Sequence, residues 1–127
     1  MAKRFKILIV DDAPKNIQVV ANLLGDTEYD ISYATNGFRA LELIEESKFD
    51  LVLLDVMMPE MDGFEVLRRV RSQSNVPVIM LTAKRQEDDI IKGLEMGASD
   101  YVVKPFNLDE IVARCTRLLA TPSSVAA

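Results

Sequence analysis

The sequence contains no histidine and only one cysteine, Cys115. Without histidine, the chain has no imidazole to act as a general base, to ligate a metal or to carry a phosphoryl group. A single cysteine cannot form a disulfide within the chain, which is typical of proteins from a reducing compartment. Cys115 falls on an apolar helical stripe, so we expect it to be packed in the core rather than reactive.

The chain also has little that suits a membrane or a nucleic acid. No apolar run approaches the ~20 residues that a membrane-spanning helix requires. The amino-terminal stretch has a basic start, but Asp11 and Asp12 end its apolar run too early for a signal peptide. The net charge of −5 argues against a surface for binding nucleic acid. We therefore expect a cytoplasmic domain that neither spans a membrane nor binds nucleic acid directly.

Apolar strand patterns alternate with helical stripes along the 127 residues. The strand patterns cover residues 6–10, 29–34, 51–54, 76–81 and 100–103. Regular βα alternation predicts a parallel sheet with helices on both faces. Gly97 stands where a left-handed cap would end the fourth helix. We expect residues 1–120 to form one domain, and residues 121–127 to form a flexible tail or the start of a linker.

Strand composition predicts the order of the strands in the sheet. The first, third and fourth strands are continuous apolar runs, as expected when helices cover both faces. The second strand alternates between polar and apolar residues, and the fifth is short with polar flanks, so both belong at edges. The predicted fold is a single α/β, doubly wound (βα)5 domain with the flavodoxin-like strand order 2-1-3-4-5.

Polar side chains follow the apolar strands at the points where those strands end. They are Asp11 and Asp12 after the first strand, Asp55 after the third, Thr82 after the fourth and Lys104 after the fifth. Because the carboxyl ends of parallel strands share one edge, we expect these side chains to converge. Carboxylates, a hydroxyl and an ammonium group at one point suit a cation and a phosphoryl group.

In this order along the chain, these residues resemble the receiver domain of bacterial two-component response regulators, the CheY-like family. The stretch from Leu53 to Gly63 is similar to the phosphoacceptor segment of that family, and the stretch from Gly97 to Phe106 is similar to its closing segment. The resemblance covers about residues 6–119 and includes all of the polar residues at the strand ends.

The resemblance implies a phosphoacceptor and a metal site. Asp55 would accept the phosphoryl group as an acyl phosphate. Asp12 and Asp55 would bind Mg²⁺, or Mn²⁺ in its place, directly, while Asp11 would bind it through water and Met57 through its backbone carbonyl. From the residues alone, the two adjacent aspartates could equally cap the helix that begins at Pro14. The methionines from Met57 to Met61 are predicted to shape a loop rather than to form a soft-metal site.

The remaining residues of the family site would hold the phosphoryl group and transmit its arrival. Lys104 would hold a phosphate oxygen, aimed inward by a cis peptide bond before Pro105, and Thr82 would donate its hydroxyl. Tyr101 would act as a rotameric switch. From the residues alone, Lys104 could be a solvated edge-strand lysine and Tyr101 a simple packing residue. By the same resemblance, Met57 and Lys84 would flank the approach of the water that hydrolyses the acyl phosphate.

The function implied by the resemblance is a phosphorylation-dependent signalling switch, not an enzyme that acts on a separate substrate. A sensor histidine kinase or a phosphotransfer protein would supply the phosphoryl group. A downstream effector would dock on the fourth helix, the last strand and the fifth helix, and a phosphorylation-linked homodimer is compatible with the same family.

Three alternatives remain at this point. A phosphorylation-independent protein-binding receiver module is the strongest, although such modules usually lack part of the polar set. A phosphatase of the haloacid dehalogenase type would need a second acid two residues after Asp55, where Met57 stands. A flavin carrier would need a phosphate-binding loop after the first strand, where Asp11 and Asp12 would repel a phosphate without a metal.

Overall fold

A computed structural model describes residues 5–24, 29–82, 87–103 and 108–120, without the side chains of residues 23, 24, 82, 87–89, 108, 109, 111, 112 and 120. Strands and helices alternate through these ranges, as predicted. The elements are β1 (Phe5–Val10), α1 (Pro14–Leu24), β2 (Tyr29–Ala34), α2 (Gly37–Glu46), β3 (Leu51–Asp55), α3 (Gly63–Arg71), β4 (Val78–Thr82), α4 (Glu87–Glu95), β5 (Asp100–Val103) and α5 (Leu108–Ala120).

The strands form one parallel sheet in the order β2-β1-β3-β4-β5, which confirms the predicted topology. The start of β4 differs from the prediction, because the strand begins at Val78 rather than at residue 76. Pro77 has no amide hydrogen to donate, and the Val76 amide donates to Ser74 Oγ at 3.1 Å. The regular strand therefore begins only after the proline, although Pro77 O already accepts a hydrogen bond from the Val52 amide of β3 at 2.9 Å.

Alternate residues of the central strands pack under different helices. Leu8, Val52 and Met80 belong to the core on the side of α2, α3 and α4. Ile7 and Leu53 belong to the core on the side of α1 and α5. All five of these side chains are fully buried, which explains why the sequences of these strands are continuous apolar runs.

Cys115 lies on α5 within the second of these cores, with no exposed surface. Its burial in this core confirms that it is a packing residue, and the same burial raises the pKa of its thiol to about 12. α5 is also tied to β5, because Arg114 Nη1 donates to both oxygens of Asp100 at 2.7 and 2.6 Å. These bonds hold the pKa of the Arg114 guanidinium above its usual range.

Among the described residues, no helix is long and apolar enough to cross a membrane.

Candidate functional site

The carboxyl edge of the sheet brings three carboxylates together. β1 and β3 are neighbours in which Val10 pairs with Leu54, so the next residues, Asp11 and Asp55, emerge side by side. One oxygen from each of Asp11, Asp12 and Asp55 lies within 4.8 Å of the other two. The predicted convergence of these three side chains is therefore confirmed.

Asp11 and Asp12 occupy different environments in spite of their adjacency. Asp11 is 2% exposed, and its Oδ1 accepts a hydrogen bond from the Ala13 amide at 2.9 Å and a longer one from Asn16 Nδ2 at 3.4 Å. Its own amide donates to Ala34 O at 3.1 Å. Asp12 is exposed. The turn into α1 is thus closed by Asp11, while Asp12 lies at the solvent side of the cluster.

Two buried carboxylates, Asp11 and Asp55, therefore lie beside a third that solvent reaches. Like charges at this separation repel strongly where water is scarce. A hard divalent cation with oxygen ligands would remove that repulsion, and carboxylates are its preferred protein ligands. The donor set and the spacing fit Mg²⁺ or Mn²⁺.

The backbone of Asp55 is held by the first residue of α3. The Gly63 amide donates to Val56 O at 2.9 Å. A Cβ on Gly63 would lie 2.4 Å from Asp55 O and 2.8 Å from Val56 Cα, so only glycine fits there. On the other side, the Val56 amide donates to Leu81 O at 2.9 Å. Gly63 thus positions Asp55, a role that its Asp-Gly setting before a helical stripe could have signalled.

A model of the response regulator receiver domain matches residues 7–116. The chain belongs to this family. Members of this family respond to phosphorylation in two-component signalling. The chain is accordingly a signalling domain rather than a metabolic enzyme.

Relatives with curated names match this receiver over nearly all of its sequence. It is 45% identical over 122 residues to the "Transcriptional regulatory protein CpxR homolog" of Haemophilus influenzae, covering 94% of this chain and 53% of that protein. It is 45% identical over 111 residues to the "DNA-binding response regulator MtrA" of Mycolicibacterium smegmatis, covering 87% of this chain and 49% of that protein. The chain spans about half the length of these curated relatives.

Solved receiver domains share the whole fold. The receiver domain of the Francisella response regulator 1452 superposes with a TM-score of 0.86 at 36% identity, covering 92% of this chain and 98% of that one. The chemotaxis protein CheY4 of Vibrio cholerae gives a TM-score of 0.85 at 35% identity, covering 91% and 99%. The described part of the chain therefore has the fold of a CheY-like receiver.

The methionine-rich loop after Asp55 splits between core and solvent. Met58 and Met61 are buried in the core under α2 and α3, whereas Met57 is 51% exposed. Between them, Glu60 adopts a positive φ of 68°, and the Met61 amide donates to Pro59 O at 2.7 Å. A three-residue turn whose central residue has a positive φ is rare when that residue is not glycine. The methionines shape this loop, as predicted.

The structure describes the other predicted site residues only in part. Thr82 is the last residue of β4 and pairs with Val103, but its side chain is not among those described. Lys84, Lys104 and Pro105 lie outside the described residues, as does the predicted tail 121–127. Tyr101 is 8% exposed and lies in the core with the side chains of α3. The roles of these residues remain predictions.

The asymmetry of the acidic cluster leads to a test of its repulsion. Asp12→Ala removes the exposed carboxylate and keeps the turn that Asp11 closes. We expect the free energy of unfolding in chelator to rise by about 1–2 kcal/mol, because one repelling charge is lost. Stabilisation by added Mg²⁺ should disappear in the same variant. Thermal melts with and without Mg²⁺ measure both effects.

Asp30→Ala is the matched control, since Asp30 is an exposed aspartate on the edge strand β2, outside the cluster. It should keep both the parent stability and the Mg²⁺ response. A lower melting temperature of Asp12→Ala in chelator would show that a local structural role of Asp12 outweighs its repulsion.

Proposed function

We propose that a phosphohistidine on a sensor histidine kinase, or on a phosphotransfer protein, donates its phosphoryl group to Asp55 in a Mg²⁺-dependent reaction. The change of conformation that follows would be read by a downstream protein. The observation that carries this proposal is the convergence of Asp11, Asp12 and Asp55 at the ends of adjacent strands. The family supplies the signalling context.

Asp55 suits the part of the nucleophile. A carboxylate oxygen of Asp55 would attack phosphorus in line with the leaving imidazole, so that the P–N bond breaks and an acyl phosphate forms. Phosphoryl transfer of this kind depends mainly on positioning and on charge neutralisation. The backbone of Asp55 is fixed on two sides, by Gly63 and by the bond from Val56 to Leu81 O.

The carboxylates of Asp11, Asp12 and Asp55, together with the Met57 backbone carbonyl, would hold the metal. All of these donors are oxygen atoms, which suits Mg²⁺ and also Mn²⁺. When bound, the ion would supply the positive charge that lets phosphoryl oxygens approach the carboxylates. Asp11 keeps one oxygen on the Ala13 amide, so we assign it to contact through water.

Lys104 and Thr82 would hold the phosphoryl oxygens. The register Thr82–Val103 brings the end of β4 beside the end of β5, and Lys104 follows Val103 directly. A cis bond before Pro105 would aim the Lys104 ammonium inward. An ammonium group and a hydroxyl both donate hydrogen bonds to phosphoryl oxygens.

We also propose a cytoplasmic location, because the kinase that supplies the phosphoryl group consumes ATP.

The output surface would be formed by α4, β5 and α5. Ile91 and Leu94, three residues apart on α4, are 51% and 46% exposed. On α5, Arg114 and Arg117 both bind Asp100 of β5, the latter at 3.0 Å from Nη2 to Oδ2. Exposed apolar groups beside charged ones are typical of a protein docking surface. We propose that a downstream effector, or a second copy of the chain, docks there; the net charge of −5 favours a protein over nucleic acid.

The acceptor can be tested with a small acyl phosphate and Mg²⁺, followed by intact mass. One phosphoryl group should be added to the native chain, and Asp55→Asn or a chelator should abolish the addition. Asp62→Asn is the matched control, because asparagine keeps the cap that Asp62 provides for α3 through the Glu65 amide. Labelling that survives in Asp55→Asn would identify another acceptor, with Asp12 the first to examine. The absence of any labelling would favour a phosphorylation-independent binding module.

The lifetime of the acyl phosphate should depend on Met57 and Lys84. Half-exposed Met57 has no strong hydrogen-bonding group with which to orient a water, and a lysine can only donate. Met57→Asn combined with Lys84→Glu supplies acceptors, so decay should accelerate about tenfold, or ~1.4 kcal/mol of barrier. The measurement is the loss of phosphorylated mass after donor removal. Lys48→Glu, with the same change of charge before β3, should leave the rate unchanged. Equal or slower decay in the double variant would show that these side chains do not control water access.

The output surface can be mapped by amide hydrogen exchange with and without beryllium fluoride as a phosphoryl mimic. Exchange should change mainly across residues 83–106, because Thr82 directly precedes that segment and Tyr101 lies within it. Changes confined to α1 and α2 would contradict the assignment. If the surface also forms a dimer, light scattering should detect it after phosphorylation, and Ile91→Glu should keep the phosphorylated chain monomeric.

A further inference from the structure

α4 lies against the ring of Tyr101 with no side chain between them. A Cβ built on Gly93 would lie 3.3 Å from Tyr101 Cδ2 and from Tyr101 Cε2, and 3.6 Å from Phe64 Cε1. The two shorter distances are tighter than ordinary van der Waals contact. A glycine inside a helix costs about 1 kcal/mol relative to alanine. The close approach to Tyr101 gives this helical glycine a packing reason.

The ring that Gly93 covers is directed inward. Tyr101 lies on the edge strand β5, yet it is 8% exposed and belongs to the core with Phe64. Lys92, next to Gly93, places its Nζ 4.5 Å from the centroid of the Phe64 ring, a cation–π contact. Leu94, the residue on the other side of Gly93, is 46% exposed. This turn of α4 therefore contacts the core through Gly93 and Lys92.

The carboxyl end of α4 is fixed to α3. Arg71, the last residue of α3, donates from Nε to Gly97 O at 2.8 Å and from Nη1 to Ser74 O at 3.3 Å. Burial lowers the pKa of this guanidinium. Gly97 has a φ of 106°, and a Cβ there would lie 3.0 Å from Arg71 Nε, so glycine makes room for the arginine.

Backbone hydrogen bonds complete this fixed end. The Ala98 amide donates to Gly93 O at 3.0 Å and the Gly97 amide to Leu94 O at 3.1 Å, which closes α4 with a Schellman motif. The Ser99 amide then donates to Val78 O at 2.8 Å, at the start of β4. Because the end of α4 is bound to both α3 and β4, α4 cannot move away from Tyr101 at this end without breaking these bonds.

We propose that Gly93 and Arg71 are positioning residues that hold α4 closed over an inward Tyr101, so that the switch is already set toward its phosphorylated arrangement before phosphorylation. The inference rests on the proposed function and on the switch role that the resemblance implies for Tyr101, in which recruitment of Thr82 by the phosphoryl group would vacate space that the inward ring could fill. By reciprocity, whatever favours the inward ring also favours phosphorylation of Asp55. The receiver would then need only a small contribution from the phosphoryl group to complete the change.

Gly93→Ala tests the close approach directly. The added methyl group meets the inward ring at 3.3 Å, and the bond from Arg71 to Gly97 prevents α4 from yielding. The ring should therefore move outward. The donor concentration for half-maximal phosphorylation of Asp55 should rise about fivefold, at the low end of typical coupling between sites.

The position of the ring can be read without phosphorylation. The chain has three tyrosines and no tryptophan, so in a Tyr29→Phe, Tyr33→Phe background the tyrosine fluorescence comes from Tyr101 alone. Acrylamide should quench this parent weakly, and Gly93→Ala should raise the quenching toward that of free tyrosine. Glu95→Ala, which adds an alanine at an exposed site on the same helix, should change neither quenching nor phosphorylation. Strong quenching in the parent, or unchanged quenching in Gly93→Ala, would overturn the proposal.

Two further variants separate positioning from a merely structural effect. Without the ring, in Tyr101→Ala, the additional change Gly93→Ala should no longer affect phosphorylation, because the two residues act through one contact. Arg71→Met should raise quenching and donor requirement in the same direction as Gly93→Ala, while Arg68→Met, on the exposed face of α3, should not. An undiminished effect of Gly93→Ala without the ring would contradict the proposal. A parent that is weakly quenched yet never phosphorylated would refute the proposed function and leave the closed position of α4 intact.

Discussion

The parallel pairing of β1 with β3 is the constraint on which the site depends. It brings the ends of two buried strands side by side and so forces Asp11 and Asp55 into proximity. Neither carboxylate could avoid the other without breaking the register of the central sheet. The core therefore holds these two carboxylates close together, where a hard divalent cation with oxygen ligands would fit.

Much of the fold could be predicted because strand burial leaves a direct pattern in the sequence. Continuous apolar runs marked β1, β3 and β4 as interior strands, and the alternation in β2 marked an edge. The start of β4 was missed because Pro77 and the bond from Val76 to Ser74 Oγ act locally, below the resolution of a hydrophobic pattern. The division of labour between Asp11 and Asp12 was also beyond the sequence. The two residues are adjacent and identical, so only the backbone decides which one closes the turn before α1.

Two glycines mark close backbone contacts that the hydrophobic periodicity of the sequence could not predict. Gly63 allows α3 to begin against the backbone of Asp55, and Gly93 allows α4 to lie on Tyr101. In both cases a Cβ would lie too close to a neighbouring group, and that group is distant in the sequence. A hydrophobic pattern registers side chains that are buried. It does not register a backbone that must approach another group closely.

The two glycine contacts differ in how firmly the surrounding structure holds them. Around Asp55 the structure is held by strands and backbone hydrogen bonds, and breaking these bonds would disrupt the central sheet. On α4 the contacts are the ring of Tyr101, the guanidinium of Arg71 and the backbone bond from Ser99 to Val78 O that follows the helix. A tenfold change in a two-state equilibrium requires only about 1.4 kcal/mol, which is the scale of a single such contact. A change at the Tyr101 ring could therefore alter the equilibrium of the switch that we propose without breaking the bonds that fix the end of α4 or those that position Asp55.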